Sequence, residues 1–208
     1  MSSSLEGIVQ GAFIANEVIP VSGEAVVPVV APADGETFAE IAEAREAEVD
    51  AAVAAGRQAL ETSEWGKLPG FERGRLLSRL SRAIQDHADE LVALEARDTG
   101  KPLGQSRADI TATARYFEFY AGAADKLHGE TIPYFNEFFV ATEREPHGVV
   151  AHIIPWNYPA QMFGRNVAPS LAVGNAAVVK PAEDACLSVL RMAQLAAAGH
   201  AAVASDDL

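Results

Sequence analysis

The sequence contains one cysteine, Cys186, so no disulfide framework can hold this chain, and a reducing, cytoplasmic setting is expected. Basic side chains are outnumbered: 16 Lys and Arg stand against 29 Asp and Glu, a net charge of −13. Nucleic acid and anionic membrane surfaces would repel such a chain, so neither is expected as a partner. No apolar run reaches transmembrane length, and the opening MSSSLEGIVQ lacks the basic segment and continuous apolar core of a signal peptide. His128, His147 and His152 fall at no metal-ligand spacing, so ordinary surface or packing roles are expected and no metal. There is no internal repeat, and no low-complexity tract beyond alanine-rich helix faces. The chain is 49% apolar and 208 residues long, enough for one domain or one and a half around a sizeable core.

Chemistry is concentrated in one stretch, Val149 to Glu183, reading VVAHIIPWNYPAQMFGRNVAPSLAVGNAAVVKPAE. An apolar run from Val149 to Ile154 stops at Pro155, and a second, Ala176 to Val179, stops at Lys180-Pro181; each is predicted as a buried strand. Between them Phe163, Val167 and Leu171 recur at helical spacing. Pro169 is predicted to kink that helix or end its regular part, and Gly174-Asn175 to stop it. Strand, helix and strand in so short a span make a βαβ unit, whose strands run parallel and end at the same sheet edge. In open α/β sheets ligands bind at that edge, which makes Trp156, Asn157, Lys180 and Glu183 the candidate site residues. The Asn157 amide can donate to an oxygen, the Lys180 ammonium to hydroxyl or phosphate, and the Glu183 carboxylate can accept from a ribose diol. Such a set suits a nucleotide and a developing oxyanion.

The rest of the chain frames this unit. Extended segments are predicted at Ala12 to Ala15, Ala25 to Ala31 and Thr37 to Ile41, the last two joined by a turn at Ala33-Asp34-Gly35. A helix from Glu46 to Glu61 is marked by Val49, Val53 and Leu60 and is broken by Trp65 to Pro69. A second helical region carries Leu76, Leu77, Leu80 and Ile84 on one stripe, with Arg73, Arg75, Arg79 and Arg82 as a solvated face; Leu91 and Leu94 continue in another helix. Thr99-Gly100-Lys101-Pro102 stops that helix. A long helix from about Gly104 to Leu127 carries Ile110, Tyr116, Phe117, Phe119 and Tyr120. Phe138 to Arg144 is extended and Glu145 to Gly148 turns, a partly exposed strand hairpin feeding the sheet, to which another subunit could add. Ala185 to Ala198 is a helix with Leu187, Leu190 and Leu195. The GHAAVASDDL that follows supplies no third strand, so the sheet is incomplete.

With these residues in place, the chain resembles the N-terminal part of the aldehyde dehydrogenase superfamily, nearly throughout as far as Gly199. The resemblance rests on IIPWNYP at Ile153 to Pro159, APSLAVGNAAVVKPAE at Ala168 to Glu183, DTGKPL at Asp98 to Leu103, and YAGAADKLHGETIP at Tyr120 to Pro133. It implies an α/β fold: a Rossmann-like parallel sheet of the cofactor domain, incomplete, with an N-terminal helical layer and a β-hairpin oligomerisation arm. The corresponding divisions are strands and helical layer at 1–132, hairpin at 133–148, the βαβ start of the cofactor-binding unit at 149–199 and an atypical tail at 200–208. It also implies oxidation of an aldehyde to a carboxylic acid with NAD as acceptor.

Residue by residue, Asn157 matches the catalytic amide that stabilises the oxyanion, and Lys180 and Glu183 match residues that hold the adenosine ribose of NAD. Ile154, Pro155 and Trp156 match cofactor-lining positions, and Tyr158, Gln161 and Met162 match the wall of the aldehyde tunnel. A carboxylate at Glu183 would repel a 2′-phosphate, so NAD is favoured over NADP. A homo-oligomer or a complementing chain is expected at the hairpin. The chain departs from the family at Asn166, where many members carry lysine, and at Arg165, where an aromatic residue is frequent. The family's glycine-containing cofactor loop, catalytic glutamate and catalytic cysteine lie beyond its KPAE motif and have no counterpart here, so a truncated fragment is expected.

Blander readings stand beside these. Asn157 could be a turn residue before Pro159, Trp156 a core residue, and Lys180 with Glu183 a solvated ion pair. Cys186 follows Ala185 and precedes Leu187 on a predicted helix, and is read as a small buried hydrophobe, not a nucleophile. The alternative function is a non-catalytic subunit that binds nucleotide or partners a full-length relative through its hairpin.

Overall fold

The computed structural model describes residues 12–19 and 26–205, the last seven by backbone alone. Expectations for residues 1–11, for Ala25 and for 206–208 fall outside the described residues. Two antiparallel hairpins come first. β1 (Ala12–Ile14) pairs with β2 (Glu17–Ile19), a strand the sequence did not lead us to expect, and β3 (Val26–Val30) pairs with β4 (Thr37–Ala42). The turn between β3 and β4 lies at Ala33 to Gly35 as expected. Its chain reversal is fixed by Ala31 N donating to Glu36 O at 2.9 Å and Glu36 N donating to Asp34 Oδ1 at 3.0 Å.

Helices then dominate: α1 (Glu46–Glu61), a 3-10 turn (Trp65–Lys67), α2 (Gly70–Asp86), α3 (Ala88–Thr99) and α4 (Leu103–Ala123). α1 starts where Arg45 N donates to Glu48 Oε2 at 2.8 Å, with acidic Glu46 and Glu48 in the first turn, where the helix dipole favours them. α3 ends at Gly100, whose φ of +73° is the left-handed cap conformation that a side chain would strain; a Cβ there would also sit 2.9 Å from Pro32. That cap aims Lys101 back under α3 before Pro102 opens α4.

The main core lies between α2, α4, α5 and α6, with Leu77, Leu80, Ile84, Ile110, Phe117, Phe163, Val167 and Met192 buried in it. α5 approaches α4 closely because residue 164 is glycine: a Cβ there would stand 3.0 Å from Thr113 Cγ2 and 3.2 Å from its carbonyl oxygen. Two expected apolar positions face outward. Phe119 is 63% exposed, because it follows the buried Phe117 by two residues and so lies well round the helix; Val49 in α1 is 52% exposed. The arginines of α2 divide. Arg75, Arg79 and Arg82 are solvated, whereas Arg73 is half-buried, with Nε donating to Ala172 O at 3.1 Å and Nη1 donating to Leu68 O. Arg73 therefore pins the start of α2 to the end of α5.

The exposed hairpin differs from expectation in its pairing. β6 (Val140–Ala141) pairs with β5 (Thr131–Ile132), upstream of 133–148, in a ladder of two residue pairs, and does not pair with the strand at Val149. Its loop carries Tyr134, Phe135, Phe138 and Phe139 in the open. Tyr134 stacks edge-on with Phe135 at 4.8 Å between centroids.

The βαβ unit follows in the order read from the sequence: β7 (Val149–Ile153), α5 (Pro159–Ala172) and β8 (Ala176–Lys180), with β7 and β8 parallel. The strands are not buried as expected, since β7 has no buried residue and β8 only Ala176 in a sheet of two strands. α5 continues through Pro169 to Ala172, so the proline sits in its last turn and does not end it. α1 and α5 both pack on the β7–β8 pair, yet Ile153 on β7 remains 78% exposed. α6 (Leu187–Ser205) runs past Gly199 as one helix, longer than the Ala185 to Ala198 expected. No helix among the described residues is long and apolar enough to cross a membrane.

Candidate functional site

Parallel pairing sets the geometry of the site. Ile153 is the register partner of Lys180, and Ile154 N donates to Lys180 O at 2.9 Å, so the chain leaves both strands at one edge. Successive strand side chains alternate faces, which leaves Ile153 exposed and buries Ile154. Pro155 then frees the chain from the ladder, and Trp156, at 62% exposure, Asn157 and Tyr158 stand in the open before α5 begins at Pro159. Proline suits that first helical position, because its missing N–H has no partner there in any case. Trp156 is thus not a core residue.

On the neighbouring strand end, Lys180 Nζ donates to Glu183 Oε2 at 2.7 Å, and both side chains are exposed. The hydrogen bond from Lys180 holds the Glu183 carboxyl below the usual carboxylate range. An exposed pair of this kind adds little stability, so its geometry is free to serve a ligand. A ribose diol fits the donor set: Lys180 has two further N–H groups and Glu183 a second carboxylate oxygen.

Gln161 and Met162, on the first turn of α5, are partly buried behind the Asn157 loop. Gln161 Nε2 donates to Asp109 Oδ1 at 2.7 Å, and Gln105 Nε2 to the Tyr158 hydroxyl at 3.5 Å. Asp109 belongs to a buried polar cluster that sequence reasoning missed. Lys101 Nζ donates to Asp109 Oδ2 at 2.7 Å, to Glu95 Oε1 at 3.0 Å and to the backbone oxygen of Asn157 at 3.3 Å, and lies 4.7 Å from the centre of the Tyr158 ring. Burial alone would lower the Lys101 pKa, but the Asp109 and Glu95 carboxylates outweigh it and hold the ammonium above its usual value. Glu95 accepts a further bond from Ser188 Oγ at 2.6 Å, tying the cluster to α6.

Asp98 stands in the same layer, with Oδ2 accepting from Leu187 N at 2.8 Å at the start of α6 and Oδ1 buried without a hydrogen-bond partner among the described residues. Burial, and then the neighbouring charge of Glu95, push its carboxyl up to about 7. Cys186 is fully buried, and burial followed by the charge of Asp98 pushes its thiol up to about 12. A thiol of that kind is neither accessible nor ionised, in agreement with its reading as a small hydrophobe. Only the DTGKPL motif hinted at the cluster: a lysine next to a helix-ending glycine is aimed by that cap. Its partners Glu95 and Asp109 lie on two different helices and share no local spacing with it.

The aldehyde dehydrogenase family model matches residues 19–202. The mitochondrial benzaldehyde dehydrogenase of Antirrhinum majus is 45% identical over 139 residues, which is 66% of this chain and 26% of that protein. Among solved structures, a candidate aldehyde dehydrogenase of Burkholderia cenocepacia is 58% identical with a TM-score of 0.89, covering 91% of this chain and 40% of its own. A betaine aldehyde dehydrogenase of Staphylococcus aureus in complex with NAD+ is 31% identical with a TM-score of 0.91, covering 94% of this chain and 39% of its own. The chain therefore spans about a quarter of the curated relative's length, from the 26% coverage, and about two-fifths of these solved chains, from the 40% and 39%. With its matched motifs in family order and its backbone following these structures over nine-tenths of its length, the chain belongs to the aldehyde dehydrogenase family, of which it matches an N-terminal portion.

Proposed function

We propose that this chain supplies the oxyanion donor and the adenosine-ribose end of the cofactor site to an NAD-dependent oxidation of an aldehyde to a carboxylic acid. The observation that carries this is the parallel register of β7 and β8, which brings the Asn157 loop and the Lys180–Glu183 pair to one sheet edge. Asn157, exposed and in a loop free of the ladder, donates its amide N–H to the aldehyde oxygen as negative charge develops there. Lys180 and Glu183 grip the ribose hydroxyls, and the Glu183 charge disfavours a 2′-phosphate, so NAD is preferred to NADP. Ile154, Pro155 and Trp156 line the cofactor side of the same loop; Tyr158, Gln161 and Met162 form the wall along which the aldehyde enters. Held there, NAD would supply the hydride-accepting chemistry of the oxidation.

In this reading the parallel pair is the start of a Rossmann-like sheet. The aromatic loop of Tyr134 to Phe139 is the face on which another subunit packs, supported by its exposure, which reaches 85% at Phe139. The single cysteine favours the cytoplasm. Cys186 does not serve as the nucleophile, so the 208-residue chain by itself is expected to form no NADH from aliphatic or aromatic aldehydes. NADH formation that disappears in Cys186→Ser would overturn this assignment; activity that survives the substitution would identify a contaminant.

A further inference from the structure

Asn157 is useful as an oxyanion donor only if its amide points in a fixed direction, and its side chain stands in the open on a loop that has left the sheet. Lys101 is the group that holds that loop. An ammonium has three N–H donors, and at Lys101 all three are committed: to Glu95, to Asp109 and to the backbone oxygen of Asn157. The side chain is only 9% exposed and the two carboxylates are nearly dry, so the ammonium is fixed from behind by charge-assisted bonds, with its third donor directed at the loop. Glu95 is itself fixed by Ser188 on α6, and Asp109 by Gln161 on α5, so the lysine is clamped between two helices. The Tyr158 ring, 4.7 Å from the ammonium, closes the remaining side.

We propose that Lys101 is a positioning residue: clamped by Glu95 and Asp109, its ammonium fixes the Asn157 backbone carbonyl and so the stretch of backbone from which the Asn157 side-chain amide projects. The same Asp109 carboxylate holds Gln161, so one buried group aligns the oxyanion donor and the substrate wall together. What the alignment is for rests on the function proposed above; the alignment itself does not.

The test is backbone 15N relaxation on the full 208-residue chain, without aldehyde or dinucleotide. In the wild type, Asn157 and Tyr158 are expected to show rigid-backbone order parameters of about 0.85, falling below about 0.6 in Lys101→Met, while Leu77 to Ile84 in α2 stay unchanged. A lysine that merely balanced buried charge would loosen α3 and α4 and leave Asn157 no more mobile than its surroundings. Should Lys101→Met fail to fold, Asp109→Asn decides: it keeps the ammonium but weakens the clamp, and loosening at both Asn157 and Gln161 is expected. Unchanged order at Asn157 in whichever of these variants folds would overturn the proposal. Loosening at Asn157 in a chain that binds no dinucleotide would instead uphold it and sink the functional reading.

Discussion

Phe117→Ala is expected to lower the unfolding free energy of the chain by about 3–5 kcal/mol, the largest effect of any single truncation in its core. Phe117 is 0% exposed and stands in α4 where that helix meets α2 and α5; its ring centroid is 5.8 Å from that of Phe163, tilted by 47°. Removing it deletes the ring contact with Phe163 between α4 and the helix that carries Gln161 and Met162, and the closely packed helices on either side can collapse into the gap only in part. Against a typical total of about 5–15 kcal/mol, that is a large fraction of the stability. Urea unfolding should show a lower midpoint with an unchanged slope. A loss below about 1 kcal/mol would mean that α4 and α5 are not held by this contact.

Asp98→Asn is expected to change how stability depends on pH. In the unfolded chain the carboxyl titrates near 3.8, and in the folded chain near 7. Between those values the folded protein keeps a proton that the unfolded chain has released, so the stabilisation contributed by Asp98 is fully present below the unfolded value and is lost as pH rises through about 7. Relative to Asp98→Asn, the wild type should lose on the order of 3 kcal/mol between about pH 5 and about pH 8. The asparagine oxygen can still accept from Leu187 N, so the start of α6 keeps its cap while the buried charge is gone. Urea midpoints of the two proteins measured across that range check this. Parallel curves would show that Asp98 is not buried as described. The consequence reaches the site, because Asp98 fixes Leu187, four residues beyond Glu183.

The parts of this chain that could be read from sequence are those whose physics is local. β7, α5 and β8 announce themselves by apolar runs, helical spacing and prolines at the stops, and that alone brings Asn157, Lys180 and Glu183 to one edge. The polar cluster behind them could not be read in the same way. Glu95 and Asp109 look like ordinary charged positions on α3 and α4, and only the folding of those helices against each other directs both at Lys101. Arg73 is a similar case: it sits among three solvated arginines and differs only because the end of α5 lies across from it. The hairpin shows the limit for strands. Alternation predicts that Phe138 to Arg144 is extended, but which segment pairs with it is set at a distance, and the partner is Thr131–Ile132.

Whether the shared edge of β7 and β8 is a dinucleotide site is decided by titrating the 15N-labelled chain with NAD and, separately, with NADP. The expected result is shifts confined to Ile154, Trp156, Asn157, Lys180 and Glu183, weaker binding of NADP, and binding reduced about tenfold or more in Glu183→Ala, the loss of roughly one charge-assisted hydrogen bond. No shift at those residues with millimolar NAD, or shifts that leave Glu183→Ala unaffected, would contradict it.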